Sequence, residues 1–144
     1  MAHREGDPYG NFNFIVEIDG IEVAGFSDVS GISSETEVIE YRTGDARVNT
    51  VRKLPGLHKI GDITLKRGIT GSDVLWQWRK SVTDGNLDRR SASIILLDEA
   101  RQEVLRWNLS EAWPSKYVGS DLHAKGHDVA IETLVITCES INLG

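Results

Sequence analysis

The chain has 144 residues and a mass of 16.0 kDa, a length that predicts one domain with its own core. Sixteen basic against 22 acidic side chains give a net charge of −6, which argues against nucleic-acid binding over the whole surface. A single cysteine excludes an intrachain disulfide. No apolar run approaches the ~20 residues of a membrane span, and residues 1–12 lack the apolar core of a signal peptide.

Period-two alternation of apolar and polar side chains predicts strands along most of the chain. The first strand covers Phe12–Ile18, and the Asp19-Gly20 turn leads into a second strand over Ile21–Phe26. Four more strands are predicted over Ser34–Arg42, Ile60–Arg67, Ser91–Asp98 and Glu103–Leu109. The last strand, Val129–Ile141, has apolar side chains on both faces. Both faces should therefore be covered, the second one by the helix or by another subunit.

One helix is predicted between Asp73 and Thr83. Ser72 suits the N-cap position, and Gly85 follows the helix end. An apolar stripe for the core consists of Val74, Leu75, Trp78 and Val82. Trp76 and Lys80 lie on the opposite side, where Trp76 either rests on the surface of its own chain or contacts a partner protein.

A basic segment joins two of the predicted strands. Between Arg42 and Arg67, seven basic and two acidic residues give +5, which leaves −11 for the rest of the chain. The connection Thr43–Lys59, with +3 of its own, is longer than most loops in compact domains, and it predicts an extended arm. Because opposite potentials steer association, a positive arm on a negative body indicates docking onto another copy. The residues expected at that contact are Arg47, Val51, Arg52, Lys53, Leu54, Leu57 and Lys59.

The sequence offers little chemistry. His123 and His127 have a spacing found in metal sites, but they lie in a predicted loop, where solvated side chains are the better interpretation. Cys138 lies among apolar residues, which favours a small buried side chain over a nucleophile. A nucleic-acid-binding β-barrel that uses the arm remains an alternative, although the arm has no stacking aromatic beyond Tyr41 at its edge. We predict no enzymatic activity, catalytic residue, metal site or cofactor.

A series of longer motifs follows in a recognisable order. They are DPYGNFNFIVEIDG, FSDVSGISSETEVIEYRTG, RKLPGLHKIGDITLKRGIT, LWQW, IILLDEARQEVLRWNLSEAWPSKY and DLHAKGHDVAIETLVITCESINL. This order resembles the tail tube proteins of contractile phages and, more closely, the inner tube proteins of phage-tail-like contractile injection systems. The resemblance covers nearly the whole chain from Asp7. One departure is Cys138-Glu139-Ser140, where family members often have His-Glu-Gly.

The resemblance implies a mainly β fold, a sandwich or small barrel of two antiparallel sheets, with one flanking helix and a long arm. Six copies would form a ring, and rings would stack into a hollow tube inside a contractile sheath. Partners would be other copies, the sheath protein, baseplate, spike and terminator proteins, and cargo in the lumen. Assembly would begin in the bacterial cytoplasm, without membrane insertion or specific nucleic-acid binding. The alternatives are a contractile phage tail tube that conducts DNA and a type VI secretion tube.

Two further surfaces are expected in such a tube. Asp62, Thr64 and Lys66 are polar candidates for the lumen, on a strand expected in the inner sheet. Trp76 and Lys80 are the candidates for a surface that faces the sheath.

Overall fold

The computed structural model describes residues 6–23 and 25–144, which form ten strands and one helix. The strands are β1 (Phe14–Ile18), β2 (Ile21–Val23), β3 (Phe26–Ser30), β4 (Ser34–Tyr41), β5 (Arg52–Ile60), β6 (Ile63–Gly68), β7 (Arg90–Leu97), β8 (Glu103–Val118), β9 (Ile131–Thr137) and β10 (Ser140–Leu143). The helix α1 spans Val74–Thr83, between β6 and β7.

Eight of these strands form one antiparallel sheet in the order β2-β1-β7-β8-β9-β6-β3, with β10 also paired to β8. The long strand β8 belongs to both halves of this sheet, since residues 103–112 pair with β7 and residues 113–118 pair with β9. A register shift and the left-handed backbone of Glu111 (φ 54°) lie where the strand passes from one half to the other.

The two halves of the sheet form the layers of a β-sandwich, so the predicted fold class is confirmed. Over the described residues the sheet ends at β2 and at β3 and does not close on itself. The small-barrel alternative is therefore wrong for the single chain.

The core lies between the two halves and under α1. Its buried side chains include Val16, Ile18, Ile63, Leu65, Leu75, Trp78, Ile94, Leu109, Leu134 and Ile136. From the helix, Leu75 and Trp78 enter this core, and the Trp78 indole donates a 2.7 Å hydrogen bond to the Asp88 carbonyl oxygen. Val82 is half-buried and Val74 is exposed, so two of the four predicted stripe residues hold the helix in place. Each fully buried aliphatic side chain contributes about 1.5–3 kcal/mol.

Several predicted boundaries differ from the structure. The second strand ends at Val23, and after Gly25 (φ +90°) the chain starts β3 in the other half of the sheet. The predicted last strand is in fact two strands. The strand is interrupted after Thr137, and the following strand β10 pairs with β8. Ser72 is not the N-cap: Asp73 holds that position, and the Ser72 carbonyl oxygen accepts a hydrogen bond from Arg67.

The segment predicted as an extended arm, Thr43–Lys59, consists of the tip and most of the second strand of a β-hairpin. β5 pairs with β4 along its length, from Ser34 opposite Ile60 to Tyr41 opposite Arg52. Its strand character was missed because β5, unlike β4, lacks clear period-two alternation and contains Pro55-Gly56, a pair typical of turns. We call residues 34–60 the hairpin.

Candidate assembly interface

The hairpin has almost no buried surface. All eight residues of β4 are exposed, and in β5 only Gly56 and Ile60 are partly covered. Ile39 lies opposite Leu54 on one face, and Val38 lies opposite Pro55 on the other. The exposed large apolar side chains of the hairpin are Val38, Ile39, Tyr41, Val48, Val51, Leu54 and Leu57. A two-stranded hairpin is marginal on its own, so apolar side chains on both faces indicate that a partner covers it.

The hairpin is less positive than the sequence suggested. Its own register places Glu35 opposite Lys59 and Glu40 opposite Lys53. Five basic and four acidic residues in 34–60 leave a net charge of +1, against the +3 expected for the arm. Long-range steering by the hairpin is correspondingly weaker, and the expected ionic contacts with another copy remain a prediction.

The tip of the hairpin, residues 42–51, is ordered by one side chain. The Arg42 guanidinium donates hydrogen bonds to the Val48 carbonyl oxygen (3.3 Å), the Ala46 carbonyl oxygen (3.1 Å) and Asn49 Oδ1 (3.3 Å). Arg42 belongs to the basic segment between Arg42 and Arg67. In the structure its side chain orders the loop that carries Arg47 and Val48.

The three polar residues predicted for the lumen lie on the side of β6 that faces away from the core. Thr64 and Lys66 are opposite Ser30 and Asp28 of β3, and Asp62 accepts a 3.1 Å hydrogen bond from the Thr137 hydroxyl. The alternate residues of β6 are buried. The structure thus brings the three predicted residues together on one polar sheet face, while the lumen role stays a prediction.

Trp76 and Lys80 lie on the outward side of α1, as the helical spacing predicted. The Trp76 ring packs edge-on against Tyr117, with 5.2 Å between centroids, and 47% of the residue remains exposed. Lys80 Nζ is 2.9 Å from Asp84 Oδ2 in an exposed ion pair. Trp76 therefore has a contact on its own chain and enough exposed area for a partner, and the contact with a sheath stays a prediction.

A buried polar network beneath α1 was not predicted. Arg67 Nε lies 2.6 Å from Glu132 Oε1, and the Tyr117 hydroxyl donates a 2.6 Å hydrogen bond to Glu132 Oε2. That hydrogen bond, together with burial, raises the pKa of Tyr117 to about 12. Arg67 alternates in β6 with the buried Ile63 and Leu65, which is the sequence signal that could have placed it inside.

Other groups considered in the sequence show no arrangement for chemistry. In residues 6–23 and 25–144, no three His, Cys, Asp or Glu side chains lie together as a metal site would need. His123 and His127 are exposed between β8 and β9. Cys138 is buried, and burial raises the pKa of its thiol, which makes it a poor nucleophile. Among the described helices none has the length and apolarity to cross a membrane.

Solved structures share this fold over nearly the whole chain. A chain of the PVC sheath–tube complex, an extracellular contractile injection system in the extended state, is 25% identical with a TM-score of 0.87, covering 97% of this chain and 93% of that chain. A chain of the anti-feeding prophage baseplate, six-fold symmetrised, is 26% identical with a TM-score of 0.83, covering 96% and 97%. A chain of the anti-feeding prophage tube-terminating cap is 23% identical with a TM-score of 0.87, covering 100% and 95%. No curated protein matches the chain.

The family comparison agrees with these structures. The model of the T4-like virus tail tube protein gp19 family matches residues 10–142. The resemblance drawn from the sequence motifs is thereby confirmed, since the matched family is that of a tail tube protein and the similar structures come from contractile injection particles. The chain belongs to the family of the T4-like virus tail tube protein gp19.

Proposed function

We propose that the protein is the structural subunit of the inner tube of a contractile injection system, with six copies in each ring and rings stacked into a hollow tube that cargo passes through. The observation that carries this proposal is the hairpin, which exposes apolar side chains on both faces. A monomer gains nothing from such an element, whereas neighbouring subunits that enclose it bury its apolar surface.

The free sheet edges support a ring. β2 and β3 end the eight-stranded sheet, and exposed edges invite pairing with another chain. A cyclic arrangement closes such edges, and a head-to-tail contact between unlike faces also permits stacking. The 26% identical chain of the anti-feeding prophage comes from a six-fold symmetrised baseplate, which supports six copies.

The remaining surfaces fit the parts of such a particle. The polar face with Thr64 and Lys66 would line the lumen, and the face of α1 with Trp76 and Lys80 would meet the sheath. The similar chains come from a sheath–tube complex and a baseplate, which supports sheath and baseplate partners, with terminator proteins at the tube end. Assembly in the bacterial cytoplasm followed by release of the particle is part of the same proposal.

A charge-reversal experiment tests the role of the hairpin. Arg47→Glu with Arg52→Glu reverses two hairpin cations that do not lie opposite an acid in the β4–β5 register. We expect the purified double variant to stay folded, with one cooperative thermal transition, because both residues are exposed. It should elute as a 16.0 kDa monomer where the parent elutes at six times that mass or above.

The matched control reverses two exposed cations outside the hairpin, Arg89→Glu with Lys125→Glu, and carries the same change in net charge. This control should still form rings and tubes by negative-stain electron microscopy. Normal tubes from the Arg47/Arg52 variant would refute the role of the hairpin, and a monomeric parent would refute the tube itself.

A further inference from the structure

A small apolar groove lies between the β1–β2 hairpin and α1. It has a volume of about 110 Å³, and its walls are Ile18, Ile21, Val23, Val74, Leu75 and Trp78. Ile21 is 69% exposed and Val74 is 39% exposed, so the mouth of the groove is apolar and open to solvent. An apolar cavity of ~150 Å³ holds one benzene molecule, so this groove is on the scale of a single aliphatic side chain.

The rim of the groove carries an excess of negative charge. Asp19 and Arg90 lie at its edge, and Asp88 Oδ2 lies 2.7 Å from the Arg90 guanidinium. Asp19 Oδ2 is 3.7 Å from Arg90, and its side chain remains 54% exposed. Asp19 and Asp88 around the single guanidinium of Arg90 leave a net charge of −1, which favours an approaching cation.

The hairpin tip has the complementary features. Val48 is 65% exposed, and Arg47 precedes it in the chain. The three hydrogen bonds from Arg42 fix the loop that carries both residues. A loop that is ordered before it binds loses less conformational entropy on binding, which increases affinity.

We propose that the groove between the β1–β2 hairpin and α1 receives the hairpin tip of a second copy of this chain, with Val48 between Ile21 and Val74 and with Arg47 beside Asp19. This proposal rests on the tube assembly proposed above and specifies one contact within it. Arg42 then acts as a positioning residue, since it contacts the tip and not the partner.

A larger cleft beside β3 is a less suitable receptor. It has a volume of about 480 Å³, far more than one side chain fills, and is lined by Phe14, Val29, Ile32, Ile94, Leu96 and Trp107. Its charged residues, Asp28 and Lys66, lie opposite each other in the β3–β6 register and leave no excess charge to attract Arg47.

Disulfide cross-linking tests the contact in assembled tubes. The variant carries Val48→Cys and Ile21→Cys in a Cys138→Ala background, so that the two new thiols are the only ones. A disulfide needs Cα atoms about 4.4–6.8 Å apart, and oxidised tubes should therefore give a ladder of dimers and higher oligomers on a non-reducing gel. Val48→Cys with Leu122→Cys is the matched control, since Leu122 is 82% exposed and lies outside the groove.

Tubes that give no ladder from Val48→Cys/Ile21→Cys, or an equal ladder from the control, would overturn the contact and leave the tube proposal intact. Absence of tubes in the parent would instead overturn the proposed function. A second measurement needs only Ile21→Cys in the same background, whose thiol should react with a maleimide about tenfold more slowly in tubes than in the unassembled chain. Equal rates in the two states would also overturn the proposal.

Discussion

The buried network of Arg67, Glu132 and Tyr117 shows what single residues contribute and what a sequence conceals. Arg67 and Glu132 are 3% and 5% exposed, and loss of one partner of such a pair costs about 3–5 kcal/mol because it leaves the other charge buried and unpaired. The alternation of buried and exposed side chains along β6 is the signal that could have predicted the burial of Arg67. Its partner, however, comes from β9, 65 residues away, and only the β6–β9 register brings the two together.

Tyr117 gives this network a measurable pH dependence. Its pKa is raised to about 12 from 10.0, so the contribution of the neutral hydroxyl is fully present below pH 10 and is lost as the pH rises through 12. We expect the difference in free energy of unfolding between the parent and Tyr117→Phe to be largest at pH 9 and to shrink towards pH 12. Urea titrations at each pH measure this difference in free energy of unfolding. A difference that stays constant from pH 9 to pH 12 would contradict the raised pKa of Tyr117.

Secondary structure was predictable where one face of an element is buried. β1, β6, β7 and α1 lie within a few residues of their predicted bounds because alternating or helical spacing of apolar side chains reflects a real core face. β5 was missed although its equally exposed partner β4 was predicted, because β5 lacks clear alternation and contains the turn-like pair Pro55-Gly56. The second half of β8, residues 113–118, was missed because this strand crosses between the layers and changes its buried face at the Glu111 bend.

The connection between β3 and β4 depends on a glycine. Gly31 has φ +89°, and a Cβ there would collide with the Asp62 carbonyl oxygen. Gly31→Ala should therefore lower the free energy of unfolding by about 1–3 kcal/mol, measured by urea denaturation. Gly71→Ala is the control, since a Cβ at Gly71 meets no atom within 4 Å. An equal and small effect at both positions would show that the backbone at Gly31 relaxes easily.

At the scale of the molecule, the sequence located the segment proposed for assembly but not its shape. The stretch Thr43–Lys59 stood out by length and charge, and it lies in an exposed element. Its pairing with the acidic strand β4 was not visible, because the sequence separates Lys53 from Glu40 and only the hairpin register places them opposite each other. The groove proposed to receive the hairpin tip was hidden for the same reason, since it joins β1, β2 and α1 from distant parts of the chain.

The hairpin is separate from the core of the sandwich, and we therefore expect the sandwich to fold without it. No residue from 34 to 59 belongs to the buried core, and Ser34 lies opposite Ile60, with Cα atoms about 4.5–5.5 Å apart as in other antiparallel pairs. Replacing residues 35–59 by a short Gly-Ser turn should therefore leave the sandwich folded, with a single cooperative melting transition. Because the turn removes the side chains that another copy would cover, size-exclusion chromatography should show a monomer. Rings from this variant would assign assembly to the sheet edges alone, and loss of cooperative melting would show that the hairpin supports the core.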